Sequence, residues 1–311
     1  MTAYNEERFL KAALESLLNQ TFQDFEIIVV NDGSTDRTGE ILDHLAQQDA
    51  RIRSAHQSNM GRVRSLNQAV ALASGDFLAV MDSDDIALPN RLEAGLHYLK
   101  AHPEFGLVAS FFEQIDVRDA VIKRVDQLPT ETNQLATLLP QDNPICHGTI
   151  MLPKNVMEQV GGYREAFLAA LDYDLYLRIL DHYPIGMIPE VLYRYRVHGS
   201  SISARRLLQL QMKSLAQAMY QERQKKGQDT LQALSGEAQA AFVADFLAED
   251  RRLQRKRYSQ ILLEQGRKYY RLGETDAALQ ILKIAFALDC TRLKTVRYLG
   301  KAFVRKLLPS N

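Results

Sequence analysis

The stretch Phe77-Leu78-Ala79-Val80-Met81 runs directly into Asp82-Ser83-Asp84-Asp85, and the reading of that junction decides the fold. Five apolar residues in a row, bounded by Gly75 and an acidic turn, read as a buried strand. Three carboxylates within four positions at its carboxyl end are costly unless something compensates them. Pro89 then suits the first turn of a following helix.

The same unit recurs upstream. Phe9, Leu10, Ala13, Leu14, Leu17 and Leu18 repeat at helical spacing, with Asn5 read as the cap. The run Phe25 to Val30 reads as a strand and ends in Asn31-Asp32-Gly33-Ser34, turn-formers ahead of a helix opening near Ser34 or Thr35. A short segment at Arg51 to His56 and a helical stretch at Arg62 to Ala73, ended by Gly75, continue the alternation. Such alternation predicts an α/β fold with a mainly parallel sheet flanked by helices. In such folds ligands gather outside the carboxyl ends of the strands, where both acidic turns fall. A βαβ fold opens on a strand, yet only Met1 to Tyr4 precede the first helix. The first strand is therefore expected to be truncated, with several residues missing ahead of Met1.

From about Phe105 the periodicity is less regular. Leu107 to Phe112 and Thr149 to Leu152 read as strands, Tyr173 to Leu180 as a helix, and Val191 to Val197 as a closing strand. From about Arg205 onward the residues are almost all helix-forming, with no proline before Pro309. A boundary near Ser200 to Ala204 divides the chain into a domain at 1–203 and an all-α region at 204–311.

Composition bounds the partners. Apolar residues at 46% and charged residues at 24% are ordinary globular values. The 38 basic and 38 acidic residues cancel, so nothing in the balance points to nucleic acid. Cys146 and Cys290 lack the spacing of a zinc site or a disulfide framework, which fits a reducing cytoplasm. No apolar run approaches the roughly 18 to 20 residues that span a bilayer, and no signal peptide is recognisable.

Hard divalent cations such as Mg²⁺ or Mn²⁺ prefer oxygen ligands and share them with phosphate groups, so a metal–diphosphate site accounts for the acidic cluster. A solvated turn that caps the helix near Pro89 is the alternative. The cluster has company. Tyr4-Asn5-Glu6, Gln20-Thr21-Phe22, Asn31-Asp32-Gly33-Ser34 and Asp172-Tyr173-Asp174-Leu175-Tyr176-Leu177-Arg178 stand around it in order. Together these segments resemble the family 2 glycosyltransferases over about residues 1 to 203.

That resemblance implies a Rossmann-like GT-A fold and sugar transfer from a nucleotide-sugar, most simply a UDP-sugar, to an acceptor hydroxyl. It implies that Asp32 contacts the nucleobase, that Thr2 and Ala3, with Tyr4 and Glu6 beside them, line the nucleotide pocket, and that Arg62 lies near the donor. Asp82, with Ser83, faces the ribose side, and Asp84 is the main contact of a Mn²⁺ or Mg²⁺ ion, joined by His198. Asp172 takes the place of the family's catalytic base, where an acidic pair is usual and where this chain has Leu171 first; an N-cap is its alternative role. His198 on its own reads as an ordinary surface or core histidine, and Gly161-Gly162, which could also serve a donor or acceptor loop, as a simple turn. The chain has no tryptophan, so it lacks the Gln-x-x-Arg-Trp signature of processive synthases and is expected to transfer one sugar per encounter; with Asp172 as base, the resemblance implies transfer with inversion.

The expected setting is cell-surface polysaccharide or glycolipid assembly, with a saccharide or lipid-linked acceptor. Gly266, Tyr269, Ala278, Leu282 and Ala285 resemble a single tetratricopeptide-like hairpin that turns at Gly273-Glu274. Residues 292–308 are amphipathic and basic, which suits either peripheral contact at the inner membrane face or a packed helix. Two other readings are a nucleotide-binding scaffold without turnover and an Asp-dependent phosphohydrolase; Ile86 argues against the second, where such enzymes carry Thr or Val.

Overall fold

The structure, a computed structural model, describes residues 1–197, 206–271, 273–291 and 293–307. The chain forms two compact units, the first built from Met1–Phe167 and Leu171–Val197, the second containing the helices from Arg206 onward.

In the first unit, β1 (Thr2–Ala3), β2 (Ile27–Asp32) and β3 (Ile52–Gln57) form a parallel sheet in that order. Every residue of β2 is buried, as expected of a strand covered on both faces. Ile27 and Val29 pack with Leu10, Ala13, Leu14 and Leu17 of α1 (Leu10–Leu18) and with Leu42 and Leu45 of α2 (Thr38–Gln48). Ile28 and Val30 pack instead on Ala69 of α3 (Arg62–Leu72). The alternation of strand side chains thus assigns two helices to one face and one to the other. The opening strand is present, two residues long. Asn5 is not the cap of α1: the helix starts five residues later, and Asn5 takes a left-handed conformation with φ of 56°. Its N–H donates to Ser34 Oγ at 3.0 Å and its Oδ1 accepts from Thr35 N at 2.8 Å. The side chain staples the loop after β1 to the loop after β2, a use of asparagine that resembles a cap in sequence.

The second sheet is mixed. Its order is β4 (Phe77–Ala79), β8 (Met151–Pro153), β6 (Leu107–Ile115), β9 (Ile185–Arg196) and β5 (Ile86–Ala87), with β7 (Val121–Val125) on the side of β6. Only β6 and β9 run parallel; the other pairs are antiparallel. Leu92 and Leu99 of α4 (Arg91–Ala101) pack on Val108, Met151, Ile188 and Leu192. After the short helices α5 (Thr132–Leu138) and α6 (Lys154–Gln159), α7 (Leu171–Leu180) is buried over most of its length.

In the second unit, Gly236–Arg271 and Thr275–Leu288 form an antiparallel hairpin whose core includes Tyr258, Leu262, Tyr269, Ala278, Ile281 and Ala285. A Cβ on Gly266 would stand 2.6 Å from Leu282, so glycine is what lets the two helices approach. Among the described residues no helix is long and apolar enough to cross a membrane.

Candidate active site

The site is built from the carboxyl ends of β2, β4 and β9, the amino end of α3 and the first turn of α7. Asp32, the last residue of β2, is 4% exposed. Its Oδ1 accepts from Gln57 Nε2 at 2.7 Å and Met60 N at 2.8 Å, and its Oδ2 from Gly61 N at 3.0 Å. Burial pushes this carboxyl up, but the hydrogen bonds from Gln57, Met60 and Gly61 outweigh it and hold Asp32 below its ordinary value. Met60 and Gly61 are the residues just ahead of α3. A carboxylate bound to their amides is well placed for the helix dipole, and it fixes the point where the next residue, Arg62, leaves the loop.

Arg62 meets the acidic cluster. Its Nη2 donates to Asp82 Oδ1 at 2.6 Å and to His147 Nδ1 at 3.3 Å. The Asp82 carboxylate raises the guanidinium's pKa against the cost of partial desolvation, and the charges of Asp84 and Asp172 add to it. Four residues separated in sequence by up to 110 positions therefore share one field. Asp82 is lowered in turn: burial acts upward, but Arg62 and then His147 prevail. A guanidinium can only donate, so Nδ1 of His147 is the acceptor. In the neutral ring the proton then sits on Nε2, which donates to Tyr163 Oη at 2.8 Å. Burial lowers the His147 pKa, which favours this neutral form.

The three carboxylates of the cluster have different surroundings. Asp85 is fully buried; its Oδ2 accepts from Tyr193 Oη at 2.8 Å and its Oδ1 from Arg196 N at 2.6 Å. Burial, followed by the charges of Asp84 and Asp82, pushes its carboxyl well up. Asp82 N donates to the same Tyr193 Oη at 3.2 Å, and Arg196 Nε donates to the Asp84 carbonyl at 2.6 Å. Tyr193 and Arg196, both on β9, thus clamp the turn from behind. Asp84 is half-buried and Ser83 buried.

Asp172, in the first turn of α7, accepts from Asn143 Nδ2 at 3.0 Å, and its charge also acts on His147 and Tyr163. The structure therefore brings Arg62, Asp82 and His147 into contact, with Asp84 and Asp172 near enough for their charges to act on Arg62, and ties Asp32 to Arg62 through Met60 and Gly61. Thr2 and Ala3 form β1 beside Val30 and Asn31. Tyr4 is 49% exposed, and Glu6 N donates to Thr38 Oγ1 at 2.7 Å, so these four border the Asp32 side of the site. His198 lies outside the described residues. Gly161 and Gly162 form a left-handed turn with φ of 76° and 66°. Asn67 bonds Tyr163 at both N and O across that turn, at 2.9 and 2.8 Å, so the turn aims the Tyr163 ring at His147.

Asn143, His147, Tyr163, Tyr193 and Arg196 were not marked by sequence reasoning. Asn143, His147 and Tyr163 sit in a stretch without clear periodicity; a histidine followed by Gly148 just before a strand was the available signal. Tyr193 and Arg196 look like ordinary strand residues.

Whether a divalent cation fits is decided by the donor set. Among the described residues no three or more His, Cys, Asp and Glu side chains converge on one point, so an all-protein cage is absent there. The carboxylates of Asp84 and Asp82 are hard oxygen donors, and Mg²⁺-type ions are commonly held by one or two carboxylates plus substrate phosphates. The residues fit that sparse arrangement.

Comparison with known proteins agrees with this geometry. The profile of glycosyl transferase family 2 matches residues 1–161. A glycosyltransferase of Methanocaldococcus jannaschii is 32% identical over 201 residues, covering 63% of this chain and 69% of its own. The O-antigen biosynthesis glycosyltransferase WbnJ of Escherichia coli is 32% identical over 206 residues, covering 65% and 79%. Among solved structures, residues 1–349 of S. aureus TarS in complex with UDP align over 98% of this chain and 89% of that one, with a TM-score of 0.59 at 17% identity, a likeness of fold. The chain belongs to glycosyl transferase family 2 and is a glycosyltransferase.

Proposed function

We propose that this glycosyltransferase moves one sugar per encounter, with inversion, from a UDP-sugar to an acceptor hydroxyl in the assembly of cell-surface polysaccharide or glycolipid. The observation that carries the reading is the contact of Arg62 with Asp82, with the charges of Asp84 and Asp172 acting on the same guanidinium, which relates a donor side to an acceptor side of one site. UDP is the nucleotide bound in the TarS complex, and O-antigen assembly is the role of WbnJ; both support the choice of donor and setting.

Asp172 acts as the base, taking the proton from the acceptor hydroxyl as its oxygen attacks the anomeric carbon. Asn143 orients the carboxylate by its hydrogen bond. Asp32 and the segment Thr2 to Glu6 bind the nucleoside, with Asp82 and Ser83 on the ribose side. A Mn²⁺ or Mg²⁺ ion, held by Asp84 and His198, would supply charge neutralisation for the departing diphosphate. The domain boundary expected at 203/204 lies outside the described residues; the first compact unit runs to Val197. In the second unit the basic helix Leu293–Leu307 exposes Val296, Phe303 and Val304, a surface that supports peripheral contact with an anionic membrane bearing a lipid-linked acceptor.

The test is a panel of nucleotide-sugars assayed for Mn²⁺-dependent hydrolysis and transfer, with Asp172→Asn alongside. Transfer from a UDP-sugar that falls at least about 100-fold in the variant, with UDP binding and thermal stability retained, is the expected result. Turnover unaffected by the substitution removes Asp172 as the base.

A further inference from the structure

The helical unit carries its charge unevenly. Over much of it cations meet carboxylates: Arg223 reaches Asp229 at 2.6 Å and Lys226 reaches Glu222 at 2.9 Å. The pattern changes where the end of the helix Gly236–Arg271 packs on Leu293–Leu307, through Leu263, Leu299 and Ala302. The second of these helices has five basic residues and no acid. Arg267, Arg271 and Lys301 gather around Tyr298, and among the described residues no carboxylate pairs with any of the three. The carboxylate of Asp276, at the start of the intervening helix, is taken by Lys306 at 2.6 Å.

Two tyrosine rings organise the cluster. Tyr270 and Tyr298 stand edge to face with centroids 6.3 Å apart. The Arg267 guanidinium lies 4.7 Å and the Lys301 ammonium 5.6 Å from the centroid of Tyr298, and Arg305 lies 5.2 Å from that of Tyr270. Ring faces attract cations without cancelling their charge. The Tyr298 hydroxyl registers the imbalance. A hydrogen bond from Arg267 holds it below the ordinary tyrosine value against desolvation, and the charges of Arg267, Lys301 and Arg271 act the same way, so negative charge is favoured at that point. Arg305 directs Nη1 to the Tyr270 carbonyl at 2.8 Å and serves as frame. Arg267 keeps a buried Nε with no hydrogen-bond partner.

Guanidinium forks and an ammonium in one place suit a phosphate, whose several oxygens accept from all of them. The surface beside the cluster tells which phosphate. At about 100° per residue, Val296, Phe303 and Val304 form one apolar stripe along Leu293–Leu307, each about half exposed. Arg297 and Lys301 come next round the helix, and Tyr298 stands between them and the buried Ala302. A free phosphate would answer the cations and leave the apolar stripe in water. A lipid headgroup brings its phosphate to the cations and its acyl chains to the stripe, at the depth where tyrosine rings settle in a bilayer. We propose that Arg267, Arg271 and Lys301, gathered around Tyr298, form a binding site for the phosphate of an anionic lipid headgroup, with Val296, Phe303 and Val304 entering the acyl layer. The site lies wholly within the helical unit. It rests on the peripheral membrane contact proposed above and names the residues that anchor it.

The test measures binding of the full chain to vesicles of phosphatidylglycerol mixed with phosphatidylcholine, beside vesicles of phosphatidylcholine alone. Binding to the mixed vesicles is expected. Arg271→Gln with Lys301→Gln, at two exposed side chains, is expected to weaken it by about tenfold or more. Lys256→Gln with Lys283→Gln removes the same charge from exposed positions away from Tyr298 and is expected to weaken it by less than about threefold. Equal loss in the two pairs overturns the site and leaves peripheral contact standing, whereas no binding by the unaltered chain overturns both. The source of the phosphate is read in the unaltered chain from the NMR shift of Tyr298 Cζ, assigned by its loss in Tyr298→Phe. A saturable shift with dihexanoyl phosphatidylglycerol, at least about tenfold tighter than with inorganic phosphate, upholds the lipid assignment. Equal affinities overturn it and give the site to free phosphate. None of these readouts requires sugar transfer, so their failure leaves the catalytic reading untouched.

Discussion

Replacing Asp32 with Asn exchanges one oxygen for an amide and keeps the shape, so its cost isolates the charge and the third hydrogen bond. In the folded protein Asp32 accepts three bonds, from Gln57, Met60 and Gly61. Asn can keep Oδ1 toward Gln57 and Met60, but its amide then faces the Gly61 N–H, donor against donor. A hydrogen bond to a charged group contributes about 1.5 to 3 kcal/mol, and the two that survive lose their charge assistance, about half their strength. The sum is a destabilisation of roughly 2 to 4 kcal/mol, or a fall in Tm of about 5 to 12 °C for a unit of this size. The sign of the pH dependence follows. The Asp32 pKa is held down in the fold, so its contribution is fully present above the unfolded value of about 3.9 and is lost as pH falls through the folded one. Circular-dichroism melts of both proteins from pH 7 to pH 3 should therefore show a wide gap at neutrality that closes on acidification. A gap below about 0.5 kcal/mol at pH 7, or one that is unchanged at pH 3, refutes the assignment.

Two further substitutions probe the clamp and the charge cluster. Gly148→Ala should destabilise the first unit by about 3 kcal/mol, because a Cβ there would stand 2.0 Å from Tyr193 Oη and the Tyr193 ring is fully buried. Denaturant unfolding measures this, and an unchanged midpoint would show that the ring yields freely. Arg62→Met leaves Asp82 facing Asp84 without its cation. Arg62 is 47% and Asp82 18% exposed, so solvent screening limits the loss to about 1 to 2 kcal/mol. Adding Asp82→Asn should restore stability to Arg62→Met without restoring transfer, and a double variant no more stable than the single one would break the pairing argument.

Much of the first sheet, and the edge strand β4 of the second, was legible because the signals are local. The runs Phe25 to Val30 and Phe77 to Met81 are apolar and bounded by turn residues, and α1 and α3 repeat at helical spacing. The second sheet was harder to read. Strand β5 has two residues, and β7 is exposed along most of its length, so neither carries a hydrophobic pattern. The antiparallel pairing of β4 with β8 joins residues more than 70 positions apart, and no local pattern encodes which partner a short apolar run will take. Asn5 misled for a related reason: a side chain that can cap a helix can equally staple two loops, and only the distance to Thr35 separates the two.

The acidic cluster shows the limit most sharply. Asp82, Asp84 and Asp85 are the same residue in one short segment, and their spacing alone ranks none above another. Their differences come from side chains contributed at long range. Arg62, from the start of α3, neutralises Asp82; Tyr193 and Arg196, from the end of β9, draw Asp85 into the core. Arg196 also holds the main chain of Asp84 by its carbonyl, so the turn is gripped on both sides of the residue proposed to meet a cation. A solvated helix-capping turn would need none of these partners. The cost of burying Asp85 is reasonable only if it fixes Asp82 and Asp84 in place, and a fixed pair of carboxylates is what a diphosphate and its metal require of a protein.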